Sequence, residues 1–425
     1  MRDDGSRGSM GLVLLLGVAF ALAAVLLTWT AVEKAAFDAR VERIRQAGDP
    51  VDPTDLAQPP VPDEQNAAKL LEKATAWLDR RREQEDNEEG MLWEGASRRE
   101  EWTRAHWDRL DAYLESVAPY FEMLEQVPQR PHWRSDLKWA DGVDMLDPSL
   151  SRTRDAVHYI FARVELDRWE HGRTERAARA AILLLDYADR FRMPYVIGYL
   201  VKITIRDRVV QLVRVAAAKP GFDAALFRRL VDPRLARAIP PVGPPAEVLK
   251  EERALMLWVI RAWLAGDSVT VDDGWQRFPL CQPLLYRDAT RMLELFDQAI
   301  AACGTTPERA TAVAARLGSP DGRVGLLNLA APLLCGVHRK LFEQYARSTA
   351  IRRLARVAMA LLEYRQVHSE WPPDLAALGE MPVDPYSGAP FQYTRTEKGA
   401  RIRAACPERK GETLEAQDLA WSFQE

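Results

Sequence analysis

Cysteine and histidine are scarce in this chain, and neither occurs at the spacing of a metal site. The 425 residues include 4 cysteines and 6 histidines, with no C-x-x-C pair and no H-E-x-x-H or H-x-H spacing. Zinc sites usually take their ligands from such closely spaced pairs. The sequence therefore predicts no metal centre, and no motif indicates another cofactor. The cysteines, Cys281, Cys303, Cys335 and Cys406, could stay buried thiols or form one or two disulfides in an exported domain.

The motifs of the common catalytic folds are also missing. There is no GxxxxGK[ST] phosphate loop and no GxSxG nucleophile elbow. Ser135 and Lys138 have the S-x-x-K spacing of penicillin-binding enzymes, but the Lys-Thr-Gly element that supports this chemistry is absent. Asp141, Asp144 and Asp147 could serve hydrolysis, although a polar loop that caps helices explains the same spacing. No convincing active site emerges, so an enzyme is the less favoured class.

An excess of basic charge is lacking as well. The formal net charge is −4 and the pI is near 6.0. Basic residues alternate with acidic ones, as in Arg98-Arg99-Glu100-Glu101. A nucleic-acid-binding domain usually gathers its basic residues on one face. The pattern therefore argues against nucleic acid as a partner and is typical of solvated helix faces.

One long apolar run is present near the N-terminus. Residues 11–32 carry no charge, and about 20 helical residues cross a hydrocarbon core of about 30 Å. We therefore predict a tail at 1–10 and a transmembrane helix at 11–32, with Trp29 near an interface. A cleaved signal peptide is the alternative, but its small-x-small site at Ala21-Leu-Ala23 lies inside the apolar run.

The charges that flank this helix leave its orientation contested. Two arginines precede it, and four basic residues follow it, namely Lys34, Arg40, Arg43 and Arg45. A literal count of these charges places the C-terminal side in the cytoplasm. A short tail before an apolar segment is nevertheless typical of a signal-anchor, and long domains translocate largely regardless of charge. We predict a cytoplasmic N-terminus and an extracytoplasmic main domain on a single-pass membrane protein.

A helix extension and a proline-rich linker are predicted at 33–62. Phe37, Val41 and Ile44 keep the helical spacing, and Gly48-Asp49-Pro50 should stop the helix. Four further prolines at positions 53–62 favour a stiff, extended segment.

Residues 63–344 are predicted to form a helical domain, because apolar side chains recur there with the 3.6-residue period. Pro119 falls inside a helical pattern at about 98–127 and should kink or split it. The clearest unit lies between Ser149 and Lys219, where two helices form a hairpin that resembles one tetratricopeptide-like unit without a sustained repeat. Pro194 should open a third helix, and further helices are expected near 246–264, 283–302, 307–317 and 326–364.

Tryptophan is abundant, with 13 residues in the chain. The candidate binding residues in the first half of the body are Trp102, Trp107, Trp133 and Trp139. Such rings could line a groove for a protein or a carbohydrate, or they could fill the core between helices. Core packing is the simpler interpretation, and exposed rings would indicate a binding surface.

The sequence changes in character at residues 345–425, where we predict a small α+β module. A helix should end at 364–368, and short strands are expected at 401–404 and 419–423. Asp384–Gly388 has the chemistry of a turn, in which Asp caps, Pro fixes φ and Gly accepts a positive φ. The residues that define this motif are Tyr364, Trp371, Pro372, Asp384, Pro385, Gly388 and Tyr393.

As a set, Leu361–Arg365, Trp371-Pro372 and Asp384–Gly388 resemble the globular end of the G-type major pseudopilin of type II secretion. The resemblance implies a helix followed by an aromatic-proline pair, a turn and a small sheet. The module here follows a long helical domain rather than a pilin N-terminal helix. No acidic cluster follows the turn, so the calcium site of pseudopilins is not carried over.

The layout of the whole chain resembles a bacterial family of single-anchor membrane proteins. These proteins combine an anchor, a PPVPDE segment (Pro59–Glu64 here), a helical body and a pseudopilin-like end. The resemblance implies an extracytoplasmic placement and no particular activity. We therefore predict a mainly α membrane-tethered interaction or scaffold protein of the cell envelope, with protein partners. The alternative is an envelope hydrolase whose site is built from dispersed carboxylates in the helical domain.

Overall fold

The computed structural model describes residues 5–82, 102–139, 141, 148–169, 174–217, 224–225, 245–265, 281–303, 330–396, 399–405 and 419–424. Within these ranges the fold is mainly helical, with a small sheet at the C-terminal end, as predicted. The helices are α1 (Gly5–Gln46), α2 (Ala67–Arg82), α3 (Arg104–Ser116), α4 (Ala118–Gln126), α5 (Pro148–Trp169), α6 (Thr174–Arg190), α7 (Tyr195–Ala217), α8 (Ala246–Ala265), α9 (Gln282–Cys303) and α10 (Ala330–His368). The strands are β1 (Gln392–Thr396), β2 (Gly399–Arg403) and β3 (Ala420–Gln424).

Helix α1 is long and apolar enough to cross a membrane, by length and composition. Its most apolar window has a mean hydropathy of 2.4, and none of that window is buried inside the protein. Leu15 and Phe20, for example, are 67% and 77% exposed. Exposure of so many apolar side chains to water is unfavourable by about 25 cal/mol per Å², whereas lipid removes this cost. The helix begins at Gly5, so part of the predicted tail at 1–10 is helical.

The second half of α1 packs against the helical body. Phe37, Val41 and Ile44 are buried in a cluster with α9, and the ring centroids of Phe37 and Tyr286 lie 5.9 Å apart. These positions are three or four residues apart, so they share one face of the helix. The helix ends at Gln46, immediately before the Gly-Asp-Pro stop that the sequence predicts.

The proline-rich segment after α1 also lies on the body rather than apart from it. Val51 and Pro53 are buried, and Arg261 of α8 donates to the Val51 carbonyl at 3.1 Å. The sequence predicts a stiff, extended linker at this place. The segment instead includes 3₁₀ turns at Pro53–Leu56 and Asp63–Gln65, because its apolar and backbone groups find partners on the neighbouring helices.

Charged residues reinforce the junction between α1 and the body. Arg253 of α8 is 3% exposed and contacts Asp49 at 2.6 Å and Asp297 of α9 at 2.8 Å. Arg40 of α1 contacts the same Asp297 at 2.6 Å, and Lys250 contacts Asp49 at 3.1 Å. The network therefore joins α1, α8 and α9 through two shared carboxylates.

The helical body follows the predicted order of elements. The pattern near 98–127 is split between α3 and α4 next to Pro119, because proline cannot continue the hydrogen bonding of the preceding turn. Helices α5 and α6 form the predicted hairpin, and α7 begins at Tyr195, directly after Pro194. Helices α8, α9 and α10 match three of the further predictions, and the fourth, at 307–317, lies outside the described residues.

Helix α7 connects two hydrophobic clusters. Val196 and Ile203 pack with α1, α8 and α9, whereas Val209 and Val213 pack with α2 to α6, the second half of α10 and the sheet. Helix α10 also spans both clusters, since it continues from Ala330 through the predicted domain boundary at 345. The apolar residues of the groove described below belong to the cluster formed by α2 to α6, the second half of α10 and the sheet.

The C-terminal sheet is antiparallel, with strand order β1-β2-β3. Tyr393 pairs with Ile402, and Ile402 pairs with Trp421. Ile402 and Trp421 are buried with Trp371 in the cluster that includes α10. The helix that ends at 364–368 and the two predicted strands are present, the strands as β2 and β3, whereas β1 was not predicted.

Candidate functional site

A groove of about 1360 Å³ lies in the helical body. Helices α3 and α4 line it on one side, α6 lines it on the other, and residues of α5 lie between them. The lining residues are Leu114, Glu115, Ala118, Phe121, Glu122, Glu125, Pro128, Gln129, Ile160, Arg163, Asp167, Glu175, Arg179, Ala180, Ile182, Leu183, Asp186, Asp189 and Arg190. Its volume exceeds that of most small-molecule pockets, which suits a polypeptide segment better than a metabolite.

The apolar part of the groove is formed by residues that also belong to the core. Leu114 and Ile160 are buried, whereas Phe121, Ile182 and Leu183 are partly exposed and pack against them. Apolar area that remains exposed at the base of a groove can be removed from water by a bound segment, with a gain of about 25 cal/mol per Å².

Acidic side chains dominate the polar part of the groove. Seven acids and three arginines line it, and Arg206 of α7 pairs with one of these acids, Asp189, which leaves an excess of three negative charges. On α4, Glu122 and Glu125 are three residues apart, and on α6, Asp186 and Asp189 have the same spacing. Residues three apart lie on one face of a helix, so each pair points along one wall.

Arg163 of α5 neutralises part of this charge. Its side chain is 9% exposed and contacts Glu115 at 2.7 Å, Asp167 at 3.5 Å and Asp111 at 3.8 Å. Asp167 is completely buried, so an opposite charge beside it is needed to offset the cost of its desolvation. These acids are therefore held in a structural ion network inside the body.

The remaining arginines of the groove are also engaged. Arg179 contacts Glu175 at 2.7 Å within α6. Arg190 donates to the carbonyl groups of Pro128 and Pro131, at 3.3 and 2.7 Å, which fixes the end of α6 against the turn after α4. By contrast, the exposed carboxylates of Glu122 and Glu125 make no ion pair within the described part of the chain.

The tryptophans predicted as binding residues lie outside this groove. Trp107 and Trp133 are 6% and 3% exposed and pack in the core, as the simpler interpretation expects. Trp102 is partly buried beside Trp107, with ring centroids 4.9 Å apart. Trp133 and the partly exposed Trp139 line a separate cavity of about 280 Å³ near the start of α7.

The motif residues of the C-terminal module converge as the turn chemistry predicts. Asp384 is completely buried and accepts hydrogen bonds from the backbone N–H groups of Tyr386 at 3.0 Å and Ala405 at 2.6 Å. Pro385 is buried, and Gly388 adopts φ 68°, a conformation that glycine accepts without strain. The arrangement connects the turn to the end of β2.

The aromatic motif residues hold the module on α10. The Tyr393 hydroxyl donates to the Pro372 carbonyl at 2.9 Å, and the Arg365 guanidinium lies 4.8 Å from the centre of the Trp371 ring. The ring of Tyr364 packs against that of His368 at a tilt of 35°, with ring centroids 4.2 Å apart.

The other predicted chemical features do not form a site in the described residues. Ser135 and Lys138 lie before α5 outside any helix, so they are not one helical turn apart. Asp141 is exposed, whereas Asp144 and Asp147 lie outside the described residues. Cys281 and Cys303 are free thiols, and burial raises the pKa of Cys303 to about 12. No cluster of potential metal ligands occurs in the residues searched, which are those described above.

Lys202 of α7 lies near the smaller cavity, and burial, aided by Arg192, lowers its pKa to about 8. An unfolded lysine titrates near 10.5, so charging Lys202 is harder in the native state, and stability should rise as the pH increases from about 8 to 10.5. At pH 7 Lys202 is charged in both the native and the unfolded state, so the full free-energy cost of burying its charge is present. We expect Lys202→Met to raise Tm at pH 7 by a few degrees and to flatten this rise. Scanning calorimetry measures both effects.

The matched control for Lys202→Met is Lys340→Met, since Lys340 is exposed on α10. Its Tm should stay within about 1 °C of the wild type, as for most surface substitutions. A lower Tm for Lys202→Met at pH 7 would contradict the prediction.

The groove and the smaller cavity are thus two concave sites that the described residues form. Comparisons of the chain with protein-family models, curated proteins and solved structures found no match.

Proposed function

We propose that this protein is a membrane-tethered interaction protein whose acidic groove binds a basic, amphipathic segment of a partner protein in the cell envelope. The observation that carries this proposal is the pair of exposed carboxylates, Glu122 and Glu125, which lie beside an apolar base and have no ion partner in the described residues. Such carboxylates are free to pair with lysine or arginine side chains of an incoming chain.

The negative charge of the groove favours association with the partner, and its apolar base stabilises the complex once formed. An excess of negative charge in a concave surface attracts a basic segment and accelerates its association. Burial of Phe121 and its apolar neighbours then stabilises the complex. Because exposed charges are screened within about 8 Å at physiological ionic strength, binding should weaken as salt is added.

The position of α1 supports the proposal that the helical body is tethered to a membrane. Val32 lies five residues before the buried Phe37, and a helix rises about 1.5 Å per residue, so the body begins roughly 8 Å beyond the apolar run. This spacing supports a partner that is itself at the membrane surface. The signal-anchor character of the N-terminus and the resemblance to single-anchor envelope proteins favour an extracytoplasmic body.

The placement has a direct test. A Glu380→Cys variant introduces an exposed thiol in the C-terminal module. In intact cells we expect a membrane-impermeant maleimide to label this thiol more strongly than the wild-type protein. Labelling only after lysis would place the body in the cytoplasm. Lysed cells give the total amount of reactive thiol and serve as the control.

The groove is tested with a defined probe, a short fluorescent peptide in which lysine and leucine alternate. We expect the full chain in lipid nanodiscs to bind this peptide, and we expect Glu122→Lys/Glu125→Lys to bind it at least about tenfold more weakly. The variant removes two attractive charges and adds two repulsive ones. We expect the resulting loss of binding free energy to exceed the roughly 1.4 kcal/mol that corresponds to a tenfold change in affinity. Fluorescence anisotropy at low and physiological salt measures the affinity.

Glu64→Lys/Glu380→Lys is the matched control, because both residues are exposed, lie outside the groove and produce the same change in net charge. Equal weakening in both double variants would show that only net charge matters and would contradict a specific groove. A peptide of alternating glutamate and leucine should not bind.

The envelope hydrolase is not favoured by this geometry, since Glu115 and Asp167 are both held by Arg163.

A further inference from the structure

The smaller cavity lies where the proline-rich segment, the stretch before α5 and the start of α7 meet. Its volume of about 280 Å³ is close to the lower end, about 300 Å³, of pockets that hold small ligands. Trp133, Leu137 and Trp139 supply apolar surface, and Arg134, Arg192 and Glu251 are among the charged residues that line it. The combination of aromatic surface with a few charged groups is typical of a ligand site.

The acidic groups of this cavity are already used by the protein. Asp55 accepts hydrogen bonds from the backbone N–H groups of Val51 and Asp52, at 2.9 and 3.0 Å. Glu251 accepts from the backbone N–H of Tyr195 at 3.1 Å and thereby caps the start of α7. Arg192 and Lys202 also interact electrostatically with Glu251, so this carboxylate already has cations near it.

The groups with unused capacity are hydrogen-bond donors. The indole N–H of Trp133 has no acceptor, although this side chain is 3% exposed. Lys202, close to Arg192, makes no hydrogen bond or ion pair within the described residues, and burial lowers its pKa to about 8.

Arg192 is held at the edge of the cavity with donors to spare. The Gln58 side-chain amide, oriented so that both of its ends are satisfied, donates to the Trp133 carbonyl at 3.0 Å and accepts from Arg192 Nε at 3.3 Å. This leaves the two terminal amino groups of the Arg192 guanidinium, which suit a carboxylate in a bidentate geometry.

We propose that this cavity binds a small organic carboxylate with an aromatic or apolar body. The carboxylate would pair with Arg192, and the body would pack against Trp133, Leu137 and Trp139. The terminal amino groups of Arg192 complement the acceptor oxygens of such an anion. This site is separate from the acidic groove and does not depend on the function proposed for it.

The test uses phenylacetate as the probe and its neutral analogue phenylacetamide for comparison, with the full chain in lipid nanodiscs. Isothermal titration calorimetry should detect saturable binding of phenylacetate to one site. Binding of phenylacetamide should be at least about tenfold weaker, because the charge-assisted bond to Arg192 is lost. Equal affinities, or no saturable binding of phenylacetate, would overturn the proposal.

Arg192→Gln and Trp139→Leu test whether phenylacetate binds in this cavity. Arg192→Gln should weaken phenylacetate binding at least about tenfold, whereas Arg401→Gln, at an exposed position on β2, should leave it unchanged. Circular dichroism checks that both variants fold. Trp139→Leu provides a second test that leaves Arg192 in place and should also weaken binding. Wild-type affinity in a folded Arg192→Gln variant, or in Trp139→Leu, would contradict the site.

Discussion

Replacing Arg253 with alanine should lower the free energy of unfolding by about 3 kcal/mol. Arg253 is buried between Asp49 and Asp297, and its removal leaves two carboxylates without their shared cation. The expected loss is at the lower end of the range for broken buried pairs, because Asp297 is still 37% exposed and Arg40 still contacts it. The variant should also loosen the contact between α1 and the body.

Denaturant unfolding of the full chain in nanodiscs measures the loss of stability, and limited proteolysis measures the loosening. Cleavage at residues 47–62 should be faster in Arg253→Ala than in the wild type. Arg287→Ala is the control, since Arg287 is an exposed arginine of α9 and its replacement should change stability by less than about 0.5 kcal/mol. If the two arginine variants unfold alike and show equal cleavage, the ion network does not stabilise the junction.

Asp384→Ala should destabilise the C-terminal module by about 2–4 kcal/mol. The Asp384 carboxylate accepts from the backbone of Tyr386 and from the backbone of Ala405, which is 21 residues away. Without it, the two N–H groups lose their acceptor in a place where water has little access. Hydrogen exchange at Tyr386 and Ala405 should accelerate together, which distinguishes local opening of the module from global unfolding.

Asp374→Ala is the matched control for this prediction. Asp374 caps the short 3₁₀ helix Leu375–Leu378 through a hydrogen bond to Ala377 at 3.2 Å, but it is exposed and acts only locally. Its replacement should cost about 1 kcal/mol, as for other caps. Equal losses in the two variants would show that the long-range bond of Asp384 adds nothing beyond turn capping.

Local features of the sequence predicted much of the fold. The uncharged run at 11–32, the stop at Gly48-Asp49-Pro50 and the interruption at Pro119 each act on a few neighbouring residues, and the structure contains the corresponding helix, end and split. The turn at Asp384–Gly388 is of the same kind, because backbone conformation and nearby hydrogen bonds decide it. The relation of the module to pseudopilins stays a prediction.

The acidic groove was not predicted, although one signal for it is present in the sequence. Glu122 and Glu125 share a helix face, as do Asp186 and Asp189, but such pairs occur on any solvated helix. What makes them a site is that α4 and α6 lie across α5 from one another. The predicted tryptophans do not line this groove, because Trp107 and Trp133 are buried in the core, but Trp133 and Trp139 line the smaller cavity.

The sequence by itself determined the apolar helix, the helical character of the body, the hairpin and the small C-terminal module. These depend on periodicity, caps and turns, which act over a few residues. Only the tertiary structure decided that residues 33–62 pack against the body, since Arg253 meets Asp49 from a position 204 residues away. It alone also assembled the acidic groove and the donor-rich cavity, because both depend on which helix faces meet, and such contacts between distant residues leave no local pattern in the chain.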